Sequence, residues 1–396
     1  MARKMKDSGI EWIGEIPEGW KIAKIKHIVS SATDIDHFMP DSVEFGIPYL
    51  MIGDLKDLSS SIDWDSSKKI SIEDYKRLAI KSRPQKGDIV FARYASIGTT
   101  CYIDTDCDFL VSYACLTVRP SNLIIGKFLC YYLESSSFAE DVLRRTNSNT
   151  QGNVGKESLL NSIIVLPSII EQAQRVDFLN AKCSEIDTIL SKTRSSIEEY
   201  KNLKQAVITQ AVTEGTPAMF SSLHSVKLKY LISIVSGEAI RNEQLSDFGE
   251  YPVYGGGEII GFCSQYNTSE GSLIIGRVGA RCGCVTHTTC KSWATDNALI
   301  VLPTCNAKYM YYVIGHCQLN NLNTSNAQPL ITSTKIKNVV VPYFSDAMQQ
   351  QEIADYLDAK CAEIDGLIAK KEQLVKELES YKKSLIYEVV TGKREV

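Results

Sequence analysis

Two short arrays in this 396-residue chain carry side chains that could hold a metal. Pro40 and Asp41, followed by Asp54, Leu55 and Lys56, spell a PD…DxK pattern, in which two carboxylates hold Mg²⁺ and a lysine is positioned for phosphodiester cleavage. In CGCVTHTTC, Cys282, Cys284, His287 and Cys290 offer four ligands within nine residues. Zinc accepts that set, but its knuckles separate paired cysteines by two residues, and here one intervenes. Patterns this short arise by chance. The expectation is a polar loop and turn for the first array and a strand and turn with small buried thiols for the second, hence no metal site. Cys183 and Cys361 occupy matched places, yet no basic neighbour is fixed against either thiol to lower its pKa, so both are read as helix-packing residues. Two further chemistries lack their motifs. An adenine-N6 methyltransferase holds its flipped base with a Pro-Pro-aromatic loop, and no two of the eleven prolines are adjacent. The phosphate-cradling Gly-x-x-x-x-Gly-Lys-Ser/Thr loop is also missing. No catalytic residue is assigned; the chain is expected to bind rather than to catalyse.

Side chains suited to reading base edges are present. Arg pairs with guanine O6 and N7, and Asn or Gln with adenine N6 and N7. Arg93 and Arg277 follow matched glycine-led segments, GDIVFARYASIG from Gly87 and GSLIIGRVGARCG from Gly271, with Gly98 and Gly279 nearby to admit close approach of backbone. Asn149 and Gln151 in NSNTQGN match Asn326 and Gln328 in NTSNAQP. Tyr254 precedes three glycines, where its ring could stack or its hydroxyl could bind phosphate. Lys76, Arg77, Lys81, Arg83, Arg144 and Arg145 are candidate phosphate contacts. The competing readings are a structural ion pair for the arginines, turn chemistry for the polar loops, core packing for Tyr254 and a solvated face for the basic run. The net charge of −4 argues against nucleic acid on average, although the acidic residues crowd elsewhere and leave the basic run, which ends at Lys86, locally unopposed.

These candidates sit in a duplicated chain. AKCSEIDTIL, from Ala181, returns 178 positions later as AKCAEIDGLI, from Ala359, and the apolar phase holds without a gap from Asp177 to Thr213 and from Asp355 to Thr391. Ile186, Leu190, Thr193, Ile197, Tyr200, Leu203 and Val207 step by three or four residues. Ile364, Ile368, Lys371, Val375, Leu378, Tyr381 and Leu385 take the same places. Such a seam predicts two helices of about forty residues, each about 60 Å long, with polar Thr193 and Lys371 fixing register. Extended segments closed by Pro167 and Pro342 precede them. The rest is rich in β-branched and aromatic residues with Gly and Asn punctuation, and IPYLMIGDL from Ile47 aligns with YPVYGGGEI from Tyr251. The expected fold is α+β: an N-terminal segment (1–19), a mixed domain (20–167), a long helix (168–215), a second mixed domain (216–342) and a second long helix (343–396). A pseudo-two-fold axis would make the helices an antiparallel coiled coil and present the two domains as separate heads. No apolar window spans a membrane, no secretory signal follows the basic start, and the twelve scattered cysteines fit a reducing compartment, so the cytoplasm is expected.

Four blocks give the chain a family resemblance. SGIEWIGEIPEGWKIAKI near the start, NTQGNVGKESLLNSIIVLPSIIEQ before the first long helix, EYPVYGGGEIIGFCSQYN from Glu250 and LIYEVVTGK near the end resemble the specificity subunit of type I restriction-modification systems. The resemblance covers nearly the whole chain. IPYLMIGDL stands where the glycine-rich start of the first recognition domain would be, a departure from the family pattern. The resemblance implies target-recognition domains that read a split double-stranded DNA site, two modification subunits bound to the helical body, and restriction subunits that complete the complex. It also implies that S-adenosylmethionine, ATP and Mg²⁺ are used by those partners and not by this chain. The alternatives from the residues are a stand-alone Mg²⁺ nuclease with a coiled-coil dimerisation arm and a purely structural coiled-coil adaptor.

Overall fold

The computed structural model describes residues 3–94, 98–145, 154–216, 223–322 and 329–396. The chain divides into two compact units, Met1–Lys192 with Leu374–Val396, and Thr193–Gln373. Each unit is a mixed α+β head with a section of two long helices, the central helix Ile169–Glu214 and the C-terminal helix Ala347–Val390.

The heads are built on one plan. In unit 1, four antiparallel strands lie in the order Val29–Thr33, Cys115–Pro120, Ile89–Ala92 and Thr100–Tyr102; in unit 2 the order is Ile232–Ser236, Ala298–Pro303, Leu273–Gly276 and Val285–His287. The inner strands IVFA and LIIG are buried along their whole length, which is why they read as unbroken apolar runs and not as alternating ones. A smaller sheet accompanies each. Ile47–Leu50 lies between Lys69–Ile70 and, in parallel, Leu110–Val111. Tyr251–Gly255 lies between Glu258–Cys263 and, in parallel, Trp293–Ala294. The alignment of IPYL with YPVY is therefore structural. What differs is the connection. In unit 2, Gly256 and Gly257 close a two-residue hairpin at φ 62° and 100°, angles at which a side chain is strained. In unit 1 the chain instead enters the turn Ile52–Asp54 and a long detour before it pairs at Lys69.

Each head is fastened to the helices by the same buried glutamine. Gln172 Oε1 accepts from Ile125 N at 2.8 Å, while its Nε2 donates to Leu123 O at 3.2 Å and Pro167 O at 3.1 Å. Gln350, 178 positions later, accepts from Asn306 N at 3.1 Å and donates to Phe344 O at 2.7 Å. Ile125 and Asn306 cap the helices Gly126–Glu134 and Ala307–His316, so the glutamine satisfies a helix-end N–H that burial would otherwise orphan. Tyr131 Oη donates to Asn180 Oδ1 at 2.9 Å, and Tyr312 Oη to Asp358 Oδ1 at 2.7 Å, a second matched tie.

The helices are antiparallel within each unit. In unit 1, Ile186, Leu190, Val375, Leu378 and Leu385 pack into a core that also holds Trp20, Phe128 and Tyr132. In unit 2, Val207 joins Ala211, Ile353, Leu357 and Cys361. Ile197 and Ile364 are buried, and Tyr200 and Ile368 partly so. Lys371 Nζ stands 5.6 Å from the Tyr200 ring centre. One seam step needs correcting: Leu203 and Tyr381 are 48% and 49% exposed. Regular alternation of four and three residues leads past them to Lys204 and Lys382. Lys204 Nζ binds both oxygens of Asp365 at 2.8 and 2.6 Å, and Lys382 Nζ both oxygens of Asp187 at 2.7 and 2.8 Å. This is one ion pair written twice, 178 positions apart. A search for apolar residues misses it because a lysine stem covers apolar surface while its ammonium reaches an acid.

The opening segment closes unit 1. Ile13, Ile16 and Trp20 are buried, Lys393 Nζ donates to Ile13 O at 2.6 Å, and Tyr387 Oη donates to Trp12 O at 3.4 Å. Arg175, itself buried, donates Nη1 to Val389 O at 2.9 Å and Arg394 O at 3.0 Å. It thereby caps the end of the C-terminal helix, where a cation is favoured.

Candidate nucleic-acid interface

Arg93 and Arg277 occupy the same place in the two heads, fixed by the same backbone bonds. Arg93 N donates to Ala114 O at 2.9 Å, and Arg93 O accepts from Val154 N at 2.9 Å. Arg277 N donates to Asn297 O at 3.0 Å, and Arg277 O accepts from Ile331 N at 3.0 Å. Each arginine is thus held between an inner strand turn and the stretch that follows a polar loop. Those loops carry Asn149, Gln151, Asn326 and Gln328, which lie outside the described residues.

The side chains of the two arginines are employed differently. Arg93 Nη1 pairs with Asp34 Oδ2 at 3.1 Å, both groups partly buried, and its guanidinium lies 5.4 Å from the Tyr94 ring centre. Arg277 has no side-chain partner among the described residues. It stands beside the glycine hairpin: Gly279 N donates to Pro329 O at 3.3 Å, Val278 bridges to Leu330, and a Cβ added to Gly276 would meet the carbonyl oxygens of Gly256 and Arg281. Glycine at 276 lets the hairpin tip rest on the strand end that carries Arg277.

Tyr254 is not at this surface. Its ring is buried with Ile274, Ala294, Ala298 and Ile300, and burial pushes its phenol pKa up. Pro252, Val253 and Tyr254 are all buried in this strand, and the glycines after it give no sign of that.

Most of the candidate phosphate contacts already have acidic neighbours. Arg77 pairs with Asp74 at 2.7 Å, Lys81 with Asp36 at 3.0 Å, Arg83 with Asp108 at 2.5 Å, and Lys86 with Asp106 at 2.8 Å. Arg144 pairs with Glu11 and Glu140, both at 2.9 Å. These pairs are exposed and screened by solvent, so each can be exchanged for a phosphate. Arg145 differs, because its partner Asp141, at 3.0 Å, is buried and also accepts from Ile163 N at 3.0 Å. Lys76 is exposed with no ion-pair partner among the described residues.

The residues of the two metal-like arrays do other things. Asp54 Oδ2 accepts from Met51 N at 2.7 Å, capping its own turn, and Pro40 O accepts from Lys68. Cys282 Sγ faces Arg277 O at 3.3 Å, while Cys284 and Cys290 are exposed. Among the described residues no three His, Cys, Asp or Glu side chains gather as a metal site. Burial pushes Cys183 up to about 11 and Cys361 upward as well, the opposite of an activated thiol.

Sequence reading also passed over a set of exposed apolar residues on the helices. Ile170, Ile189 and Tyr381 of unit 1 correspond, at the offset of 178, to Met348, Leu367 and Leu203 of unit 2. Each unit therefore exposes the same three apolar positions at least in part.

Duplicated α+β heads, each with an arginine held in one backbone frame and each carried on a helix pair, define a tandem-repeat fold. The family model described as type I restriction modification DNA specificity domain matches residues 17–199 and 222–377, and the chain belongs to that family. It is similar to the EcoBI specificity subunit of Escherichia coli, 23% identical over 203 residues, which are 50% of this chain and 42% of that protein. It is also similar to the MjaVIII specificity subunit of Methanocaldococcus jannaschii, 26% identical over 211 residues, 51% of this chain and 47% of that protein. The chain thus aligns with less than half the length of these relatives. Among solved structures, a chain from a study of complex assembly and conformational transition of the type I R-M system superposes with a TM-score of 0.74, 15% identity and coverage of 96% of this chain and 99% of that one. The HsdS subunit from Thermoanaerobacter tengcongensis gives 0.52, 16% identity and coverage of 96% and 98%. Both share the fold. Among the described residues no helix is long and apolar enough to cross a membrane.

Proposed function

We propose that this chain is the specificity subunit of a type I restriction-modification complex, reading one half of a split double-stranded DNA site with each head. Two modification subunits dock on the helical body and restriction subunits complete the assembly. The observation that carries the reading is the duplicated frame around Arg93 and Arg277, in which the backbone bonds repeat and the surrounding side chains do not. A reader of two unequal half-sites needs that combination: constant scaffolding and variable contacts. The matched trios Ile170, Ile189, Tyr381 and Met348, Leu367, Leu203 support two copies of one partner, since one surface written twice fits one protein bound twice. Methyl transfer and cleavage, with S-adenosylmethionine, ATP and Mg²⁺, belong to the partners. Asp54, which the nuclease alternative requires as a metal ligand, caps a turn instead.

The test is the pattern of N6-methyladenine laid on random-sequence DNA by the chain with its modification subunit. A motif in two parts separated by an unread gap is expected. An undivided motif, or Mg²⁺-dependent cleavage by the chain alone, would overturn the reading. Native mass measurement of the assembly should give two modification subunits per chain; one would refute the pairing of the trios.

A further inference from the structure

The matched frame contains a turn whose side chains neither the sequence reading nor the family match assigns. Gly276 pairs with Ala298, and the bond from Arg277 N to Asn297 O extends that ladder one step, so Asn297 stands opposite Arg277. In unit 1 Ala92 pairs with Cys115, and Arg93 stands opposite Ala114 by the same bond. Each opposing residue belongs to a tight turn, Thr295–Ala298 closed by Ala298 N to Thr295 O at 2.9 Å, and Ser112–Cys115 closed by Cys115 N to Ser112 O at 2.9 Å. The turns are one element in two copies. Their central residues are Asp296 and Asn297 in one and Tyr113 and Ala114 in the other.

Asparagine is common in turns because its amide often closes them. Here the closure is made without it, by the backbone bond and by Asn297 N donating to Thr295 Oγ1 at 3.4 Å. The Asn297 amide is exposed and the Arg277 side chain half-buried, and neither has a side-chain partner among the described residues. Their backbones are joined by the bond from Arg277 N to Asn297 O at about the 5 Å spacing of opposed residues in an antiparallel pair, near enough for the two side chains to reach neighbouring base pairs stacked about 3.4 Å apart. Asp296, exposed and next to Asn297 in the turn, adds a negative charge that disfavours a phosphate there. In the other head, Ala114 offers no donor, Tyr113 stacks on His37 with ring centres 3.9 Å apart, and Arg93 is engaged by Asp34.

We infer that the turn Thr295–Ala298 sets the specificity of its head, Asn297 reading an adenine and Arg277 an adjacent guanine in the major groove. The assignment rests on the proposed function, and the experiment separates the two. The chain with its modification subunit is used to select and methylate sites from random DNA, as wild type, Asn297→Ala, Asn297→Asp and Arg277→Ala, each checked for unchanged melting and partner binding. Asn297→Ala should make one adenine degenerate, a loss of preference of about 10- to 100-fold at that position, with the other half-site intact. Asn297→Asp, which keeps the shape of the turn and removes the amide donor, should lose the same adenine. Arg277→Ala should release the neighbouring guanine. A wild-type complex that selects no split motif would refute the function on which this rests. A split motif that Asn297→Ala and Asn297→Asp leave unchanged, or weaken uniformly at every sequence, would refute the assignment alone.

Discussion

The two heads share strand order, helix fastening and the backbone bonds around one arginine, yet they spend polar groups in opposite ways. In unit 1 Arg93 is tied to Asp34, and the basic run from Arg77 to Lys86 is matched by Asp74, Asp36, Asp108 and Asp106. In unit 2 Arg277, next to a glycine hairpin, and Asn297 have no side-chain partner among the described residues. A duplicated fold keeps what positions the surface and varies what the surface offers. The buried glutamines that repeat would leave a buried donor or acceptor unsatisfied if lost, whereas the side chains around the two arginines differ.

That division predicts equal damage in both units from the shared part. Gln172→Ala and Gln350→Ala each strip a buried helix-end N–H and at least one carbonyl of their partner, and should each cost about 3 kcal/mol. Hydrogen exchange should report the loss in the unit that carries the substitution. A loss in only one unit would mean that the two fastenings are not equivalent.

A smaller effect should appear on one side only. Gly276→Ala would push a Cβ against the carbonyls of Gly256 and Arg281 and should cost about 2 kcal/mol, whereas the unit 1 counterpart is already Ala92. Ala92→Gly should cost about 0.5–1 kcal/mol through backbone entropy. If Gly276→Ala were tolerated, the hairpin would not rest on the arginine strand and the contrast between the heads would weaken.

The repeat, the long helices and the pairing of IPYL with YPVY were legible because each rests on apolar periodicity, which records burial directly. The glutamines Gln172 and Gln350 were equally available at the 178-residue offset, but a polar residue carries no sign of burial until its partners are known. Lys204 and Lys382 were missed for the same reason, and Leu203 and Tyr381 were taken in their place because an apolar side chain looks like a core residue even when a partner surface is its use. The glycines after Tyr254 suggest exposure, whereas its strand is buried on both faces from Pro252 to Tyr254. Asn297 left no trace in the sequence, since its place opposite Arg277 follows from strand register between segments twenty residues apart.

A pH difference should separate the units next. Burial pushes the Glu134 carboxyl up to about 7 from its ordinary 4.5, against the hydrogen bond from Thr100 Oγ1 at 2.8 Å; nearby Asp57 adds to the rise, while Lys382 and Lys127 oppose it. The counterpart at the end of the matching helix is Gly315, with nothing to titrate. The folded state therefore holds this proton more tightly than the unfolded chain. The stability it confers is fully present below pH 4.5 and is lost as pH rises through about 7, so unit 1 should weaken over that window. Glu134→Gln keeps the acceptor for Thr100 and should flatten the dependence in unit 1 without altering unit 2, as read by hydrogen exchange at several pH values. An unchanged slope would place the proton elsewhere.

The smallest effect tests whether the basic run is a DNA contact or only a solvated face. Among the described residues Lys76 is the member with no acid to leave, so a phosphate would gain its charge without breaking a pair. Lys76→Ala should then lower the slope of log affinity against log salt by about 0.9 and weaken all sequences alike, because a phosphate contact carries no base information. Arg145→Ala serves as the contrast. Its guanidinium neutralises the buried Asp141, so its removal should destabilise unit 1 while leaving the salt slope unchanged. If both substitutions leave the slope alone, the run is a solvated face, and head 1 must take its phosphates through some other surface than the one its charge suggests.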